Sequence, residues 1–159
     1  MRLKEFEIWL DEKNRPYLHE KETAVFDNGE DFRHPRQIYE LAEKLGLTKH
    51  AYESSYVLYI ALNMKVLGIS EVGRGGIASS VVPIREVLQI ALLCGATSLI
   101  LFHNHPCDSF KPSQKDCVTT QKLEDAAALM ELVLLDHVIV SNEGFYSFRE
   151  QSTILRKGA

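Results

Sequence analysis

The sequence predicts an α/β fold, and three observations carry that reading. Short apolar runs of strand length alternate with segments whose apolar residues recur at helical spacing. Glycine and proline stand where those elements should stop or start. The apolar run 97–103 leads into His103-Asn104-His105-Pro106 and a helix-opening Pro112-Ser113, the strand–loop–helix order typical of this class.

Taken in order, residues 4–10 place Phe6, Ile8 and Leu10 on one side, the period-two pattern of a half-buried strand. Asp11 to Pro16 reads as a turn, with a weaker strand from Tyr17. Residues 27–35 are polar and read as a linker. Ile38, Leu41, Ala42 and Leu45 fall at helical spacing, and Gly46 supplies the stop. Residues 55–62 form a continuous apolar run suited to a central strand. Asn63-Met64-Lys65 turns the chain, and Val66 to Val72 returns beside it until Gly73, Gly75 and Gly76 break the pattern. Pro83 is expected as the first residue of a helix that runs to Cys94 and ends at Gly95. A buried strand over 97–103, a helix from Pro112-Ser113 to about Glu131, a strand over 132–140 and a last strand from Phe145 to Phe148 complete the chain. At 159 residues one domain is expected, with residues 1–34 as an N-terminal hairpin extension and 35–159 as the main unit.

Composition narrows the function classes. Hydrophobic residues make up 45% and charged residues 25%, which are globular values. The net charge is −4, and the lysines are scattered among acids, which argues against a surface that coats DNA and leaves only a local basic groove open. The cysteines, Cys94, Cys107 and Cys117, are odd in number and form no C-x-x-C pair, so neither a disulfide framework nor a four-thiolate zinc site is expected. The start of the sequence lacks the apolar run of a signal peptide, and no stretch of 18 apolar residues occurs. No membrane partner and a reducing cytoplasm are therefore expected.

The chemistry concentrates at His103-Asn104-His105. Side chains alternate along a strand, so both imidazoles can face one ion. Asp116, eleven residues after His105 at a helix start, can return a carboxylate to the same point. Two histidines and an aspartate suit zinc, and three protein ligands leave a fourth position for water, the catalytic arrangement. Zinc would lower the pKa of that water to roughly 7. A second reading competes, because Ser113-x-x-Asp116 also matches a helix capping box in which Asp116 serves the backbone. His137 lies inside an apolar strand and reads as a satisfied core histidine in preference to a fourth ligand; Cys94 and Cys117 also read as core, and Cys107 as a loop thiol.

His103-Asn-His-Pro, Lys111-Pro-Ser-Gln-Lys-Asp116 and Leu135-Asp-His-Val-Ile-Val140 together resemble the RadC-type branch of the JAMM/MPN metallohydrolases. Lys65-Val-Leu-Gly-Ile-Ser70 and Pro83-Ile-Arg-Glu-Val87 extend the similarity, which covers about residues 50–150. The resemblance implies the JAMM/MPN three-layer fold, a curved mixed sheet with flanking helices and a Zn2+ site at a strand end. It implies His103, His105 and Asp116 as ligands and hydrolysis of a peptide or isopeptide bond. It further implies a glutamate base near the start of the first core strand, where Glu53 fits; Glu71, at the end of the next strand, is the competitor. Ser113 matches the family serine that hydrogen-bonds the oxyanion, and it also suits a helix N-cap.

This chain departs from the pattern where relatives commonly read His-Pro-Ser-Gly, since Cys107-Asp108 follows Pro106. It also has only a short segment where RadC proteins commonly carry a helix-hairpin-helix-like region, so roles tied to that region do not transfer. Two other functions stay in view: a metal-binding scaffold without turnover, and an accessory role in DNA repair or mobile-element biology. The loops 73–80 and 106–112 are expected to set specificity, and the oligomeric state is left open.

Overall fold

The computed structural model describes residues 3–22, 32–75, 82–106 and 109–155. Its strands are β1 (Lys4–Leu10), β2 (Pro16–Glu22), β3 (Ser54–Ile60), β4 (Val66–Arg74), β5 (Ser98–Asn104), β6 (Val133–Ser141) and β7 (Gly144–Ser147). The helices are α1 (Pro35–Lys44), α2 (Ile84–Cys94), α3 (Gln114–Leu129) and the single turn α4 (Phe148–Gln151), with a short 3-10 turn at Leu47–Lys49. The strands form one seven-stranded mixed sheet in the order β2-β1-β4-β3-β5-β6-β7. β1 runs parallel to β4 and β5 parallel to β6; the other neighbours are antiparallel.

The apolar runs form the centre of the sheet because they bury both of their faces. Every residue of β5 is buried. Leu99 and Leu101 join Val57, Tyr59 and Ile139 on one face, where α2 and α3 contribute Val87, Ile90, Leu123 and Ala127. Ile100 and Phe102 join Leu58, Ile60, Val138 and Val140 on the other face, under Ile38, Leu41 and Ala42 of α1. The α/β expectation is met in this three-layer form: helix, mixed sheet, helices.

Glycine sets two helix ends as expected. Gly46 and Gly95 take φ of 74° and 73°, the left-handed conformation that closes a helix with little strain. Several boundaries differ from the sequence reading. Pro83 is the N-cap of α2, extended at ψ 90°, and Ile84 is the first helical residue. β3 ends at Ile60, and Leu62 is 85% exposed in the turn. β4 passes through Gly73 to Arg74, because Ser54 and Ser55 of β3 still pair with Arg74 and Gly73. α3 ends at Leu129, with Met130 as its C-cap. β7 stops at Ser147, whose side chain caps α4 by accepting from the Glu150 N–H. The reading of 27–35 as linker falls mostly outside the described residues; within them, His34 is the N-cap of α1 and Pro35 its first residue.

The N-terminal hairpin is part of the sheet. β1 pairs with β4 at Glu5 and Ile69, and Phe6 packs on Tyr59 at 5.8 Å between ring centroids. Gly68 permits this approach. A Cβ there would press into the Phe6 ring and lie 2.8 Å from the Lys4 carbonyl oxygen.

Candidate metal centre

The site forms where β5 leaves the sheet. His103 is the sixth residue of β5 and points to the α2/α3 face, alternating with Phe102 and Asn104. His105 follows just past the strand, with its backbone N–H bonded to the Val140 carbonyl of β6 at 2.9 Å. Asp116 is in the first turn of α3. The chain folds these three back together. His103 Nε2 lies 3.1 Å from His105 Nε2 and 3.2 Å from Asp116 Oδ1, and His105 Nε2 lies 3.5 Å from Asp116 Oδ2. One donor atom from each residue lies within 4.8 Å of the others, the only such group among the described residues.

The donor set fits a metal cation. Tetrahedral zinc with ligand bonds of about 2.0–2.1 Å keeps its ligand atoms roughly 3.3 Å apart, close to these separations. His105 Nδ1 lies 2.9 Å from the Ser109 carbonyl oxygen, which can only accept, so the Nδ1 proton is spent there and the Nε2 lone pair faces inward. Burial alone would lower the His105 pKa. The adjacent Asp116 carboxylate, the Ser109 carbonyl and the charge of Glu53 outweigh it and raise it. Burial alone would also raise the Asp116 pKa, but the adjacent His103 and His105 rings and the hydrogen bonds from Ser113 hold that carboxyl far below the usual carboxylate range.

The two readings of Asp116 hold together, because its carboxylate is divided. Oδ2 accepts the Ser113 N–H at 2.7 Å and the Ser113 hydroxyl at 2.6 Å. Ser113 Oγ in turn accepts the Asp116 N–H at 3.2 Å, which closes a capping box. Oδ1 is left to face His103. The Ser113 hydroxyl proton is therefore directed at Asp116, and hydrogen-bonding an oxyanion would require it to turn away.

Two glutamates were candidates for the base, and the sheet separates them. Ser55 pairs with His103 and shares its face. Glu71 pairs with Tyr56, which alternates with Ser55 and so belongs to the opposite face. The Glu71 carboxylate is engaged by Arg74 at 2.9 Å to each oxygen and by the Ser54 hydroxyl at 3.3 Å. Glu53 stands one residue before β3, and its charge acts on His105. Its carbonyl accepts the Gly75 N–H at 2.9 Å. Asn104, between the two histidines, binds the backbone on both sides of Glu53: Oδ1 accepts the Ser54 N–H at 2.8 Å, and Nδ2 donates to the Tyr52 carbonyl at 2.9 Å.

His137 is a satisfied core histidine as read, and its partner is the site itself. Its Nε2 lies 2.8 Å from His103 Nδ1, and its Nδ1 lies 2.6 Å from Thr120 Oγ1. Burial, and then the charge of His103, depress its pKa well below the usual imidazole value. The sequence signals for His137 were its place inside an apolar strand and in the Leu135-Asp-His-Val-Ile-Val140 motif, and Thr120 gave none. Cys117 and Cys94, expected in the core, are only half-buried and pack against its edge, and burial raises the Cys94 thiol pKa. Cys107 and Asp108, like Gly76 to Ser80, lie outside the described residues.

The RadC-like JAB domain family matches residues 32–153. The chain belongs to this family. Its mixed, helix-flanked sheet is consistent with the JAB/MPN fold. A UPF0758 protein of Streptococcus suis is 35% identical over 122 residues, covering 77% of this chain and 47% of that protein. UPF0758 proteins of Flavobacterium johnsoniae and Streptococcus sanguinis are 37% and 39% identical over 100 and 103 residues, covering 63% and 65% of this chain and 44% and 45% of theirs. The chain thus spans about half the length of the curated relatives it matches. No helix among the described residues is long and apolar enough to cross a membrane.

Proposed function

We propose that this RadC-like JAB domain is a zinc-dependent hydrolase of amide bonds, of the peptide or isopeptide type. The observation that carries the reading is the convergence of His103 Nε2, His105 Nε2 and Asp116 Oδ1. These three atoms would hold the ion, and three protein ligands leave a coordination position free. Bound there, zinc supplies an acidified water and polarises the scissile carbonyl.

The remaining steps belong to the chain. Glu53 takes the proton from the attacking water and passes it to the leaving amine. Asn104 holds the backbone that carries Glu53. Asp116 and Ser113 stay locked in their capping box, which keeps one carboxylate oxygen directed at the ion.

Purification without chelator tests the reading, followed by metal counting and cleavage assays on peptide and isopeptide panels. About one zinc per chain, lost in His103→Ala, together with cleavage lost in Glu53→Ala, supports it. Zinc without cleavage would make the chain a metal-binding scaffold. Salt-dependent binding to duplex or branched DNA would favour the accessory role in repair.

A further inference from the structure

We propose that Thr120 and His137 form a hydrogen-bond relay that sets the tautomer of His103, making both positioning residues for the metal centre. The inference rests on the metal-site reading above and adds how that site is prepared.

The direction of every bond in the relay follows from groups that can play only one part. The Asp116 backbone carbonyl can only accept, and Thr120 Oγ1 lies 2.6 Å from it, so the Thr120 hydroxyl spends its single proton there. Thr120 Oγ1 must then accept from its other neighbour, His137 Nδ1, at 2.6 Å. A second proton on His137 would make an imidazolium sealed in the core, 1% exposed, stacked flat on Phe148 at 4.9 Å and 6°. His137 Nε2 is therefore an acceptor, and His103 Nδ1 donates to it at 2.8 Å. The His103 proton is thereby on Nδ1, and its Nε2 lone pair faces His105 and Asp116.

The relay closes on itself. It begins at the backbone carbonyl of one ligand, Asp116, and ends at the ring of another, His103. Three elements are joined by it: α3 through Thr120, β6 through His137 and β5 through His103. His137 itself is held by its backbone N–H to Asp136 Oδ1 at 2.7 Å. Metal-bound histidines generally donate their second N–H to a fixed acceptor, and loss of that acceptor costs about 10- to 100-fold in metal affinity. Here the acceptor is another histidine, which could serve in either tautomer. Thr120 is what makes the choice.

The test compares Thr120→Val, which keeps the shape and removes the hydroxyl, with Thr120→Ser, which keeps the hydroxyl. His137→Phe and His137→Gln form a second pair. The glutamine amide offers an acceptor and a donor; phenylalanine offers neither. Near-UV circular dichroism identifies the variants that fold, and either pair suffices. Two quantities are read: the zinc dissociation constant by chelator competition, and the protonated ring nitrogen of His103 by nitrogen-15 NMR of the metal-stripped protein at about pH 8.5, above the imidazole range.

The expected result is His103 protonated on Nδ1 in the wild type and Thr120→Ser, with a mixture in Thr120→Val. Zinc affinity should fall about 10-fold or more in Thr120→Val and His137→Phe and stay within about threefold in Thr120→Ser and His137→Gln. A wild-type His103 protonated on Nε2, or equal zinc affinities within both pairs, overturns the relay. If the wild type binds no zinc, the metal-site reading fails, and the tautomer in wild type and Thr120→Val alone decides for or against the relay.

Discussion

Asn104 grips the backbone next to Glu53, accepting the Ser54 N–H at 2.8 Å with the oxygen of its side-chain amide and donating to the Tyr52 carbonyl at 2.9 Å with the nitrogen. The residue between the two candidate histidine ligands is thus tied to the backbone beside the candidate base. Asn104→Ala leaves the buried Ser54 N–H without an acceptor, which should cost about 1–3 kcal/mol. Urea denaturation measures that loss. Turnover on a cleaved substrate should fall while zinc content stays at the wild-type level, because no metal-binding atom is removed.

Glu53→Gln should lower kcat by about 100- to 10,000-fold and leave zinc content unchanged, the range expected for loss of a general base. Glu71→Gln is the control. Its carboxylate pairs with Arg74, which is 60% exposed, and exposed pairs contribute about 0–1 kcal/mol. Activity should survive Glu71→Gln; equal losses in the two variants would remove Glu53 from its assigned role.

Zinc should stabilise the folded chain. At a free concentration one hundred times the dissociation constant, binding adds about 2.7 kcal/mol. For a chain of 159 residues that corresponds to a rise in Tm of roughly 5–10 °C. Scanning calorimetry of chelator-stripped protein, with and without added zinc, reads the shift. His103→Ala should show none.

Gly68→Ala should destabilise the protein by about 1–3 kcal/mol, since the added methyl meets the Phe6 ring and the Lys4 carbonyl. The strain falls where β1 docks on β4, so limited proteolysis should cut the N-terminal hairpin faster than in the wild type. An unchanged cleavage rate would mean that the hairpin yields without cost.

Asp116 shows what a local pattern can and cannot express. Ser113-x-x-Asp116 matched a capping box and a metal ligand equally well, because both need a carboxylate in the first turn of a helix. The fold leaves room for both: one oxygen accepts from Ser113 and the other faces His103. The choice between Glu53 and Glu71 was likewise open in one dimension. It turns on which residue pairs with which across β3 and β4, and Glu71 opposes Tyr56 and so faces away from His103.

By itself the sequence determined the elements of this protein and the pair His103 and His105, because strand alternation, apolar runs and glycine stops are local physics. The β3, β5 and β6 segments were legible for that reason, with errors of one or two residues at their ends. Tertiary structure alone decided the company these residues keep. Asn104 beside Glu53, and His137 between His103 and Thr120, depend on the register of β5 against β3 and β6 and on the seat of α3 over the sheet. A buried polar group must find a partner, but which partner it finds is settled only when distant segments pack together.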